Sequence, residues 1–101
     1  MRQKFPLASN SVTEGARRLG ERLRRARKAQ SLSLSDLERI CRIHRTTLGR
    51  LERGDLGVSM GALLSVLEAL NELADVELVV SQPDTPAHRR IVNAPLLEQE
   101  F

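Results

Sequence analysis

Apolar residues recur at steps of three and four through Ala16, Leu19, Gly20, Leu23 and Ala26, which predicts one amphipathic helix reaching about Gln30. The S-x-x-E spacing of Ser11 to Glu14 matches a capping box and marks its start. A second, short helix is signalled by Ser33 as N-cap and Asp36 in the first turn, followed by Leu37, Ile40 and Cys41. Arg42-Ile43 forms a tight corner. A third helix runs from about His44 to Arg53 and stops at Gly54, a good residue for the left-handed position after a helix. Asp55 to Val58 read as a loop, and Ser59 caps a fourth helix from Met60 to about Leu73. With Leu63, Leu64, Val66, Leu67 and Leu70, that helix is the expected packing centre. Four short helices with short connections define an all-α domain over residues 11–73.

The period then changes. Over residues 74–81, Val76, Leu78 and Val80 alternate with Glu77, Val79 and Ser81, the period of a strand. A lone strand leaves its backbone groups unpaired, and even a two-stranded ribbon is marginal unless it packs on something. Pairing with the same strand of a second copy solves this, so the pattern predicts a homodimer; the alternatives are an extension of helix four or irregular chain. Residues 1–10 show no periodicity and read as a flexible basic arm. Residues 82–101, with Pro83, Pro86 and Pro95, read as a mobile tail.

Charge sharpens the picture. The net +3 conceals a division: residues 1–54 hold 14 Lys+Arg against 5 Asp+Glu, and residues 55–101 hold 2 against 8. A polyanion suits the first half and a different partner the second. The single cysteine, Cys41, has no internal partner for a disulfide, and the longest uncharged run, Leu56 to Leu67, falls well short of the roughly 20 residues of a membrane span. No apolar stretch follows Arg2 and Lys4 as in a signal peptide. A cytoplasmic, nucleoid-associated protein with no membrane partner is expected. Catalysis finds no support: there is no metal-ligand spacing, no glycine-rich phosphate loop, and Cys41 sits at an apolar corner. No metal and no cofactor are expected.

The third helix carries the chemistry. On a wheel, Leu48 and Leu51 share one side with His44, while Arg45, Thr46, Gly49, Arg50 and Arg53 gather on the other. No acid lies on that outward arc, whereas a merely solvated face would mix both signs. Arginine's planar fork matches the guanine O6/N7 edge, threonine can bond or touch a thymine methyl, and an α-helix fits the major groove. Gly49, a costly residue inside a helix, either lets the backbone approach a base pair or is simply tolerated.

From Leu19 to Leu70 the chain resembles the Cro/repressor (Xre-type) helix-turn-helix regulators. Ser33 stands at the cap of helix two, Leu37 at its core leucine, Ile43 at the corner and Leu48 in the recognition helix. LERG (Leu51–Gly54) matches the recurrent x-E-x-G ending, and Ser59-Met60 with LLSVLEAL (Leu63–Leu70) matches the fourth helix. The resemblance implies a lambda-repressor-like domain of four to five helices on double-stranded DNA with a palindromic operator. By position it implies base reading by Arg45, Thr46 and Arg50, phosphate contacts from Ser33, His44, Thr47 and Arg53, and a structural ion pair between Arg27 and Glu52. Three residues depart from the pattern. Leu34 replaces the usual Gln of a DNA contact, Glu38 replaces a small residue, and Arg42 replaces the turn glycine. Arg42 must either accept positive φ or reshape the corner, and it offers a phosphate contact in return.

Within that family, LEALNELADVELVVS (Leu67–Ser81) is similar to the helix-then-strand layout of Hip-type antitoxins. That resemblance implies an operon autorepressor, a dimerisation strand containing Val76, Leu78 and Val80, and a HipA-like kinase toxin as partner. A stand-alone phage or metabolic regulator, and an adaptor that no longer reads DNA, are the other expectations the sequence leaves open.

Overall fold

The computed structural model describes residues 8–86 and residue 88. The arm over residues 1–7 and the tail beyond residue 88 lie outside the described residues. Four α-helices follow one another: α1 Asn10–Ala29, α2 Leu34–Cys41, α3 Arg45–Glu52 and α4 Met60–Ala69, with a 3-10 helix at Leu73–Leu78.

Each start has a polar cap. Ser9, not Ser11, caps α1: its hydroxyl accepts from the Val12 N–H at 3.1 Å. Ser11 therefore lies inside the first turn, and Glu14 pairs with Arg17 (2.8 Å) and Arg18 (3.6 Å). The expected arm thus ends earlier, with Asn10 already helical. Ser33 and Asp36 form the reciprocal capping box of α2, and Ser59 caps α4 through the Ala62 N–H.

The helix ends share one device. In α1, α3 and α4 the residue after the cap turns left-handed (Ser31 φ 59°, Gly54 φ 83°, Asn71 φ 64°). The next N–H then reaches back to a free carbonyl: Leu32 to Arg27, Asp55 to Arg50, Glu72 to Leu67. Asn71 stops α4 at Ala69, short of the expected Leu73.

The core draws on every α-helix: Leu23 from α1, Leu37 from α2, Leu48 and Leu51 from α3, Val66 from α4, with Leu70 just past it. α1 packs on α3, α2 packs on both α3 and α4, and α4 meets the 3-10 helix. Ile40 is exposed, while Cys41 is half-buried with its thiol donating to the Leu37 carbonyl at 3.1 Å. Gly20 sets the α1–α3 distance: a methyl group there would stand 2.6 Å from the carbonyl oxygens of both Leu51 and Glu52.

The expected strand over residues 74–81 is absent from the single chain; no strand occurs among the described residues. The reason is hydrogen-bond supply. Extended Val76, Leu78 and Val80 would need a partner strand, and without one the segment satisfies itself locally, Asp75 N–H to Glu72 O and Val79 N–H to Val76 O. Val76 is half-buried and, with Val79, lines a groove whose other side includes Leu63, Leu64 and Leu67, whereas Leu78, Val79 and Val80 are exposed.

Candidate nucleic-acid interface

α2, the turn Arg42–His44 and α3 make a helix-turn-helix. The turn depends on Arg42, which adopts φ 60°, ψ 35° and donates its N–H to Glu38 O at 2.8 Å. Of the two expectations for this residue, the left-handed conformation is the one realised. His44 then caps α3: Nδ1 accepts from the Thr46 N–H at 3.1 Å, so that nitrogen is the unprotonated one in this arrangement. The wheel grouped His44 with the leucines, but as the N-cap it lies outside the helix and is exposed.

α3 is seated by Leu48, 1 % exposed, and Leu51. Arg45 and Thr46 are exposed, Thr47 and Arg50 are half-buried, and Arg53 is exposed at the helix end. None of the three expected base readers is buried. Thr46 and Arg50, four residues apart, share one face, with Arg45 beside them. Ser33 stands at the start of α2, its hydroxyl accepting from Asp36 N–H; the backbone and side-chain bonds from Ser33, with Arg39 at 3.1 Å, hold the Asp36 carboxyl below its ordinary range.

Both arginines expected to read bases have acidic partners. Arg45 Nε lies 3.2 Å from Glu38 Oε1, and Arg50 Nε donates to Asp55 Oδ2 at 2.8 Å. The second bond, with the attraction of the carboxylate, raises the Arg50 pKa. The wheel of α3 alone missed both acids because they come from α2 and from the loop after α3. The departure at Glu38 thus has a structural role: it sits against Arg45. Leu34 also has one, packing against the core edge in place of a hydrogen-bonding side chain.

Behind the reading face, Arg27 Nε and Nη2 bond Glu52 at 2.7 and 3.0 Å, and Nη1 donates to Leu32 O at 2.8 Å. The pair is almost fully enclosed, and the bond to Glu52 raises the Arg27 pKa. It ties α1, the α1–α2 turn and α3 together, as the sequence implied.

Gly49 is half-buried on α3. A methyl group there would meet Arg53 Nη1 at 3.2 Å, so the glycine gives the Arg53 guanidinium room to lie across α3. Arg53 and Gly49 line a cavity of 590 Å³ whose wall also carries Glu21, Glu52 and, from α1, Arg17 and Arg24. Sequence reasoning left these two arginines out of the site, although their i, i+7 spacing already placed them on one face. Among the described residues no group of His, Cys, Asp and Glu could hold a metal ion, and no helix is long and apolar enough to cross a membrane.

A seated helix with an outward cationic and hydroxyl face, held across a tight corner by a capped partner helix, defines a helix-turn-helix regulator of the DNA-binding class. A family model described as "Helix-turn-helix domain" matches residues 18–78, and the chain belongs to that family. No curated protein and no solved structure matched the chain.

Proposed function

We propose that this protein is a dimeric, sequence-specific DNA-binding repressor in which α3 enters the major groove. Arg45, Thr46 and Arg50 read base edges; Ser33, Arg42, His44, Thr47 and Arg53 hold phosphates. The observation that carries the reading is the anchoring of α3 by Leu48 and Leu51 with Arg45 and Thr46 exposed on the far side and Arg50 beside them. No chemical step is assigned to any residue. Selection from a random duplex library followed by anisotropy titrations tests it. Arg50→Ala should weaken the selected duplex by about 1–3 kcal/mol and blur one position of the motif. Equal weakening on every sequence would reduce Arg50 to a phosphate contact, and failure to select any motif would remove the reading altogether.

Dimerisation belongs to the same proposal. Leu78, Val79 and Val80 are 73 %, 68 % and 61 % exposed, and Val80 takes φ 52°. Positive φ in a β-branched residue costs on the order of 1–3 kcal/mol. Extension and pairing with a second copy would return Val80 to negative φ and cover all three side chains.

Within this class, the reading favoured is an autorepressing antitoxin that binds a HipA-like kinase toxin. Its support is the acidic second half and the resemblance of Leu67–Ser81 to the helix-then-strand layout of Hip-type antitoxins. Co-purification from the native operon tests it; recovery of DNA with no kinase-like protein would leave a stand-alone regulator.

A further inference from the structure

We infer that Asp55 is a specificity-determining positioning residue, which presents the end of the Arg50 guanidinium to a guanine. The inference rests on the proposed reading of DNA by α3.

The geometry originates in how α3 stops. Gly54 turns left-handed at φ 83°, its N–H donates to Leu51 O, and the Asp55 N–H donates to Arg50 O, both at 3.0 Å. This closure places the second residue past the cap against the third residue from the helix end, a position pair that usually makes an apolar contact. Here the pair is Asp55 and Arg50, and the contact is an ion pair.

Asp55 is itself held. Its side chain is 10 % exposed, Oδ1 accepts from the Gly57 N–H at 2.8 Å, and Oδ2 accepts from Arg50 Nε at 2.8 Å. The choice of Nε matters. A guanidinium offers two forks, one along Nε and an Nη, the other across the two Nη groups. Asp55 takes only the Nε of the first, and no hydrogen bond from either Nη occurs among the described residues. The end-on fork, the one that fits O6 and N7 of guanine, stays available. An unrestrained arginine loses rotamer freedom on binding a base, and a side chain already fixed in the free protein loses less.

A carboxylate beside a DNA surface also repels phosphate. Removing it therefore has opposite effects on two observables, which a purely structural or purely electrostatic role would move together. The full-length protein and its Asp55→Ala, Asp55→Asn, Arg50→Ala and doubly substituted Arg50→Ala/Asp55→Ala forms are each used to select from a random duplex library. Affinity is then measured for the enriched duplex and for a scrambled one. Asp55→Ala should lower the preference for the base pair assigned by Arg50→Ala by about tenfold, and hold or raise affinity for the scrambled duplex. Asp55→Asn, close in size, should fall between; in the Arg50→Ala background the loss of Asp55 should change nothing at that base pair. An unchanged preference in Asp55→Ala or Asp55→Asn, or equal loss on both duplexes, overturns the inference. So does an Arg50→Ala motif identical to the wild-type one, which leaves DNA reading by α3 standing; a wild-type protein that selects nothing overturns both.

Discussion

Arg42 holds φ 60° where a glycine would sit without strain. The Cβ of an L-residue in this region costs roughly 1–2 kcal/mol, part of which glycine gives back through the greater freedom of its unfolded chain. Arg42→Gly should therefore stabilise the fold by about 0.5–1 kcal/mol and raise the thermal midpoint by roughly 2–6 °C. A melt followed by circular dichroism checks this, and a lower midpoint would mean that the arginine side chain contributes more than its backbone costs. Residue identity was legible where a local rule governs. Gly54, Ser33 and Ser59 announced their roles because a cap or a left-handed turn accepts few side chains. The acids beside Arg45 and Arg50 were not legible: Glu38 and Asp55 meet them across a corner and a helix stop, which no wheel of α3 represents.

At the level of elements, α1 meets α3 backbone to backbone at Gly20. A methyl group on Gly20 would stand 2.6 Å from two backbone carbonyl oxygens, and backbone cannot swing aside as a lysine tip would. Gly20→Ala must push α1 away from α3, disturbing Leu23, Leu51 and the Arg27–Glu52 pair together. A loss of about 2 kcal/mol or more is expected. Urea titration measures it; a loss below 0.5 kcal/mol, within the ordinary range of surface changes, would show that the helices slide apart freely. The apolar stripe of α1 placed Gly20 on the inner face, but its spacing gave no hint of how near α3 would come. Three helix starts of four and the stop at Gly54 followed from the sequence. The early end of α4 did not, because Asn71 competes with a run of apolar residues that continues past it.

For the molecule as a whole, the segment after Asn71 separates what one chain can determine from what two can. Its period of two was plain in the sequence, yet alone it winds into a 3-10 helix because strand hydrogen bonds need a neighbour. Leu78→Asp should leave the fold of one copy intact, since that side chain is already 73 % exposed, and should abolish the proposed pairing. Sedimentation at tens of micromolar protein distinguishes the outcomes: wild type at twice the mass of the variant is expected, and a wild type already at 11.3 kDa would end the dimer proposal.

From α4 through the 3-10 helix every charged side chain is an acid, while α1 to α3 carry the basic ones in excess. A body polarised in this way feels a torque as well as a pull in the field of a polyanion, and turns its cationic side forward before any atom touches. At physiological ionic strength that field reaches only about 8 Å. Raising the salt should therefore slow the arrival of the protein on any duplex, whatever its sequence, by letting it approach in unproductive attitudes.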